Sequence, residues 1–240
     1  MNNPETLSHS NDAATPTRRQ AARRLLFIEP VFATALMMFA VLAVGANFYA
    51  YFAWDLIVTR FIQGLDAPLM LTLMRLVSLP GDGAIPYIIA VLTIVLFFML
   101  GRRSEAAGLT LSVGGSGLLN SLLKALIHRP RPINSLVTVS TTLGTQSFPS
   151  GHVTFYVCFS GFLFFVAYAL LPARTYRRAF ALILAALPVL LIGISRIYLG
   201  AHWASDTLGA YLFGGVWLAF SLEMYRRWKA RATFHANEDV

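Results

Sequence analysis

The sequence predicts an all-α fold: a polytopic membrane protein with six transmembrane helices and an amphipathic interfacial region between the first and the second. Three observations carry this. The chain of 240 residues is 57% hydrophobic and only 12% charged, against roughly 25% charged residues in an average soluble domain. Its apolar residues gather in six runs separated by polar or Pro/Gly stretches, and roughly 20 apolar residues cross a bilayer as a helix. Its 19 basic residues are concentrated at one set of run ends, the pattern of a multi-pass chain obeying the positive-inside rule.

Residues 1–24 are polar, lack apolar periodicity and end in Arg18, Arg19, Arg23 and Arg24, which predicts a disordered cytoplasmic tail. The apolar run that follows is too long for the core of a secretory signal, and no clear cleavage site follows it. Residues 25–229 are expected to form one membrane domain, and residues 230–240 a second cytoplasmic tail. The first span covers 31–52. Residues 54–79 mix Asp55, Arg60, Gln63, Asp66 and Arg75 with apolar residues at near-helical spacing. They read either as one or two amphipathic helices lying in the interface, the second opened by Pro68, or as a loop packed on the membrane domain. Pro80, Gly81, Asp82 and Gly83 make a turn.

The second span covers 84–100, closed by Arg102 and Arg103, and the third 106–127, where Gly114, Gly115 and Gly117 permit close helix packing. A Ser/Thr-rich loop over 133–147 precedes the fourth span, 153–171. The fifth and sixth spans cover 180–194 and 207–220. The single cysteine, Cys158, lies in an apolar run and reads as a small core residue.

Six spans return both termini to the same side, and thirteen of the basic residues lie there: Arg18, Arg19, Arg23, Arg24, Arg102, Arg103, Arg174, Arg177, Arg178, Arg226, Arg227, Lys229 and Arg231. Both termini are therefore expected in the cytoplasm. The net charge of +8 is explained by orientation and by anionic inner-leaflet lipid, so a nucleic-acid partner is not needed.

Three polar clusters fall on the opposite, outer face. Ionisable residues at such places are expensive unless they work. The first is Lys124, His128, Arg129, Pro130, Arg131 and Pro132 at the end of the third span, where the prolines bend the chain. The second is Pro149, Ser150, Gly151 and His152 at the start of the fourth. Ser150 can cap that helix, Gly151 lets backbone N–H groups approach a ligand, and a helix N-terminus attracts anions. The third runs from Ser195 and Arg196 to His202 and Asp206, between the last two spans. A helix beginning near Ala201 would set His202 and Asp206 on one face, the carboxylate taking a hydrogen bond from the ring and leaving its other nitrogen free as nucleophile or base.

Fixed cations around backbone donors suit a phosphoryl group, and two histidines suit covalent transfer, one attacking and the other protonating the leaving oxygen. No carboxylate cluster is available for magnesium and no histidine spacing suits zinc, so the expected reaction uses no metal and no cofactor.

The clusters resemble the type 2 phosphatidic acid phosphatase family, whose pattern K-x6-R-P, P-S-G-H, S-R-x5-H-x3-D is matched by Lys124 to Arg131-Pro132, Pro149 to His152, and Ser195-Arg196 with His202 and Asp206. The resemblance implies His202 as the nucleophile that becomes a phosphohistidine, Asp206 orienting it, and His152 as general acid and then base. It implies Lys124, Arg131 and Arg196 on the phosphoryl oxygens, assisted by Ser150 and the Gly151 amide. Arg129 and His128 lie outside the pattern and read as solvated, with a head-group contact as the alternative for Arg129. Asn120 either supports Lys124 or makes an ordinary interhelical hydrogen bond.

The implied function is an integral membrane phosphatase acting on a terminal lipid phosphate or diphosphate, on the outer face of a bacterial-type inner membrane. Its partners are then a lipid phosphate and the bilayer; the sequence leaves the oligomeric state open. Two alternatives remain: lipid-to-lipid phosphotransfer through the same phosphohistidine, and a non-catalytic anion channel or transporter.

Overall fold

The computed structural model describes residues 18–65, 67–141 and 144–238. Among them the chain is helical, and its only β pairing is an isolated antiparallel bridge between Pro130 and Gln146. The helices are α1 (Arg18–Phe48), α2 (Ala53–Gln63), α3 (Met70–Ser78), α4 (Ile85–Met99), α5 (Arg103–Thr110), α6 (Ser116–Ile127), α7 (Gly151–Leu170), α8 (Tyr176–Tyr198) and α9 (Ala204–Glu238). Of the tail expected over 1–24, residues 1–17 lie outside the described residues, and 18–24 are the first turns of α1. The second expected tail, from residue 230, continues α9 as far as Glu238. The chain divides at Thr34, and the packing and the site below belong to the unit that begins at Ala35.

Among the described residues, five helical stretches are long and apolar enough to cross a membrane: Glu29–Phe48, Arg103–Ile127, Gly151–Leu170, Tyr176–Tyr198 and Ala204–Arg231. The expected second span is shorter than the others. At 15 residues, α4 falls below the roughly 20 needed. It follows α3 across a 53° bend, and the two together have the length and apolar composition of a broken span or a re-entrant loop, for five spans or up to six among the described residues. The bend is a short 3-10 turn, Leu79–Gly81, with Pro80 inside it.

The region after the first span is two helices, α2 and α3. Helix α2 buries Asp55 and Thr59 while Ile57 and Phe61 stand exposed; α3 buries Met74 and Ser78 while Leu73 and Leu76 stand exposed. On α2 a polar pair faces protein while apolar groups face outward, an arrangement a lipid surrounding rewards, whereas α3 buries one apolar and one polar residue.

Helix α7 packs against α6, α8 and α9. Val153, Tyr156 and Val157 of α7 meet Ile192 of α8 and Ala210 of α9, and further along α7 Phe162 and Val166 meet Leu109 and Tyr225. Cys158 is fully buried in this core. Helices α5 and α6 are joined by a π-helical turn, Leu111–Gly115, whose Leu111 and Ser112 carbonyls accept from Trp217 Nε1 at 3.2 and 3.1 Å. Gly115 is the glycine that packing requires, because a Cβ there would collide with the Trp217 ring, whereas Gly114 and Gly117 face open space. At the end of the helices away from the site, buried Glu105 ties α5 to α9 through Lys229 Nζ at 2.6 Å and Tyr225 Oη at 3.2 Å.

Candidate active site

The C-terminal ends of α6 and α8 and the N-terminal ends of α7 and α9 lie at one end of the helices, and the three sequence clusters meet there. Helix α6 stops because His128 adopts a left-handed conformation (φ 52°), after which Pro130 and Pro132 keep the chain extended. The segment 144–150 folds back along it, with Ser147 N donating to Arg129 O at 2.8 Å. Lys124 Nζ reaches the Gln146 and Ser147 carbonyls at 3.0 and 3.4 Å. Helix α2 pins the rest of the loop. The Gln63 side chain bonds Thr138 through both its backbone groups, at 2.7 and 3.0 Å, and donates to Tyr198 O at 3.0 Å. Gly200, at φ +65°, lies so close to the Thr138 carbonyl that a side chain would not fit.

His202 is 1% exposed. It does not sit on α9, as the sequence reading expected, but in the turn before it, because α9 begins only at Ala204. Asp206 Oδ2 accepts from Trp203 N at 2.8 Å and so closes the first turn of that helix. Nε2 of His202 faces Arg131 Nη1 at 3.3 Å. A guanidinium offers donors only, so Nε2 must be the acceptor nitrogen and the proton resides on Nδ1. Nδ1 lies 3.4 Å from Ser147 Oγ and 3.5 Å from Asp206 Oδ2, and the Ser147 hydroxyl itself donates to that carboxylate oxygen. The ring is therefore linked to Asp206 largely through Ser147.

Burial, then the charges of Arg131, Lys124 and Arg196, hold the His202 imidazole well below its ordinary pKa of 6.5. At the pH where a free imidazole is half protonated, this one is neutral and its Nε2 lone pair is available; acid removes the lone pair only much further down. Arg131 is itself held below its ordinary value by burial, and its guanidinium also bonds Ala201 O at 2.7 Å and the Gly144 carbonyl.

Arg196 belongs to the last turn of α8 and is 1% exposed. Its Nη1 donates to Ser78 Oγ, while Nε and Nη2 have no partner. Ser150 occupies the N-cap position of α7, but its hydroxyl makes no capping bond and is buried without a partner. Gly151 opens that helix, and the first N–H groups of a helix have no intrahelical acceptor. A buried donor left unsatisfied costs about 1–3 kcal/mol, so an anion that accepts from these groups is strongly favoured. Asn120 serves the fold and not Lys124: its amide donates to Thr154 Oγ1 at 3.1 Å.

Four further residues enter the site without having been singled out as functional in the sequence. One is Ser147. The second is Arg129, which is not solvated; the structure corrects that expectation. Its side chain is completely buried, with Nη1 at 2.6 Å from Asp206 Oδ1 and Nη2 at 2.9 Å from Asp55 Oδ2. The third is Asp55 of α2, which also accepts from Ser205 N at 2.7 Å and Ser205 Oγ at 2.8 Å. The fourth is Asp82, whose Oδ1 is 2.7 Å from His152 Nε2. A polar pair one helical turn apart on an apolar helix, Asp55 and Thr59, was the available signal for the α2 contribution.

Residues 105–230 match the model of the PAP2 superfamily. The chain is 31% identical over 134 residues to phosphatidylglycerophosphatase B of Bacillus subtilis, covering 55% of this chain and 64% of that protein. It is 33% identical over 173 residues to a lipid A 1-phosphatase of Rhizobium etli, covering 62% and 69%. The match thus spans just under two thirds of the first relative's length. Among solved structures, a transmembrane PAP2 type phosphatidylglycerolphosphate phosphatase from Bacillus subtilis has a TM-score of 0.69 at 24% identity, covering 82% of this chain and 96% of that one. LpxE of Aquifex aeolicus has a TM-score of 0.55 at 26% identity, covering 72% and 96%.

Proposed function

The chain belongs to the PAP2 superfamily, and from that premise we propose that this multi-pass membrane protein is a lipid phosphatase working through a phosphohistidine on His202. The observation that carries the reading is the neutral Nε2 of His202, 3.3 Å from Arg131 Nη1, within the field of Lys124, Arg196 and His152. A phosphoryl group placed there meets a nucleophile and its charge clamp together.

The Nε2 lone pair attacks phosphorus, forming the N–P bond as the bridging P–O bond breaks. Protonated His152 gives its proton to the departing oxygen. Water then attacks the phosphohistidine, passes a proton back to His152, and phosphate leaves with His202 restored. Arg131, Lys124 and Arg196 hold the non-bridging oxygens, and Ser150 Oγ and the Gly151 amide complete the cradle. Asp206 steadies the Nδ1 side of His202 as positive charge develops. The step needs no metal, because fixed cations supply the charge.

The apolar outer faces of α2 and α3 next to the site favour a substrate whose tail stays in the bilayer. The substrate class is a lipid phosphate or diphosphate: phosphatidylglycerol phosphate, phosphatidic acid, a polyprenyl diphosphate or a lipid A phosphate. The distribution of basic residues supports cytoplasmic termini and a site on the outer face of an inner membrane.

The test is inorganic phosphate release by purified full-length protein from each of these four lipids, with and without EDTA. Release from at least one lipid, unchanged by EDTA, is expected. Release from none contradicts the function, and loss with EDTA contradicts the metal-free chemistry.

A further inference from the structure

We infer that Asp82 is a positioning residue for His152, giving the site a second imidazole–carboxylate pair contributed by the α3–α4 bend. This rests on the reading of His152 as the acid that protonates the leaving oxygen. Asp82 lies outside the signature and outside residues 105–230.

The geometry is specific. His152 is the second residue of α7 and its side chain is 11% exposed. Its Nε2 is 2.7 Å from Asp82 Oδ1, a length typical of a charge-assisted hydrogen bond. The carboxylate approaches because the preceding residue is glycine: a Cβ on Gly81 would lie 3.0 Å from His152 Cγ and 3.1 Å from Nε2, too close for the ring to stay where it is. The same bend also grips Arg196. Ser78 Oγ accepts from Arg196 Nη1, and Asp82 Oδ1 lies 3.8 Å from that atom. One short break between helices thus sets both the proposed acid and a phosphoryl clamp.

A carboxylate takes the Nε2 proton as its hydrogen-bond partner. That fixes the plane of the ring and leaves Nδ1 as the nitrogen that exchanges a proton with the substrate. When His152 is protonated, Nδ1–H faces the leaving oxygen and Asp82 supplies the counter-charge. The proton moves from Nδ1 to the bridging oxygen as the P–O bond breaks, and returns to Nδ1 from water in the second half. Asp82 gains and loses nothing; it holds the ring.

The experiment uses the need for an acid as its readout. An alkoxide is a poor leaving group and needs protonation, whereas p-nitrophenolate leaves unaided. Full-length protein with Asp82→Asn, Asp82→Glu or His152→Ala is compared with wild type on a lipid phosphate and on p-nitrophenyl phosphate. The ratio of the two rates within one variant is independent of how much of it folds. For Asp82→Asn, the single-turnover rate of leaving-group release from the lipid is expected to fall about 10²-fold, with the single-turnover rate of p-nitrophenolate release within about threefold and partial rescue by Asp82→Glu; the transfer step is read because hydrolysis of the phosphohistidine also uses His152 and is common to both substrates. His152→Ala is expected to show the same selectivity in stronger form. If His152→Ala lacks it, the acid assignment fails and the role of Asp82 with it. If His152→Ala shows it and Asp82→Asn matches wild type, gains activity or loses both substrates equally, only the Asp82 proposal is overturned.

Discussion

Replacing His202 with alanine is expected to lower kcat for phosphate release by roughly 10⁴–10⁶-fold, the scale on which covalent nucleophiles are lost. The ring is 1% exposed and lined by Arg131, Ser147 and Asp206. Its removal takes away the atom that attacks phosphorus and leaves the three cations in place. Substrate binding should therefore survive, and the dissociation constant for a lipid phosphate should change by less than about tenfold. Fluorescent lipid phosphate binding alongside single-turnover phosphate release separates the two quantities. Release at the wild-type rate would remove His202 from the chemistry, whatever the binding result.

Arg129→Met is expected to produce the largest loss of stability, and a loss of activity as well. Arg129 stands between Asp55 and Asp206 with all three side chains fully buried, and packs over the Phe52 ring at 4.9 Å. Three groups with charges −1, +1 and −1 become two uncompensated carboxylates when the arginine goes. Breaking a buried pair in this way costs about 3–5 kcal/mol. Asp55→Asn leaves a neutral Arg129–Asp206 pair and should be much milder. The order of melting temperatures in detergent is therefore wild type, then Asp55→Asn, then Arg129→Met lowest. The folded fraction of Arg129→Met should also turn over about 10²-fold more slowly, because Asp206 and the His202 ring it steadies lose their anchor and displacements of about 1 Å carry that penalty. Equal stability of Arg129→Met and wild type would contradict the buried network.

These two cases show what was legible in the chain and what was not. His202, His152, Lys124, Arg131 and Arg196 stood out because charge is expensive in a chain this apolar. Arg129 stood among them and was misread, since its partner Asp55 lies 74 residues earlier in a segment with no pattern linking the two. Asp82 looked like any turn aspartate, and its contact with His152 spans 70 residues. Helix ends failed for a related reason. The fifth apolar run stops at residue 194, yet α8 continues to Tyr198. Ser195 Oγ bonds the Met74 carbonyl at 2.6 Å and Arg196 bonds Ser78, so α3 satisfies polar groups that hydropathy took for a loop. In the other direction, α9 starts at Ala204, three residues after the expected start near Ala201, because Gly200 turns the chain and Asp206 caps the new helix.

The most direct test of phosphoryl transfer through His202 is to quench turnover of a ³²P-labelled lipid phosphate in base within the first turnover and locate the label by peptide mapping. An acid-labile, base-stable label on the peptide carrying His202, absent from His202→Ala and longer-lived in His152→Ala, is the predicted result. Wild-type protein that releases phosphate without ever carrying label on that peptide would contradict it.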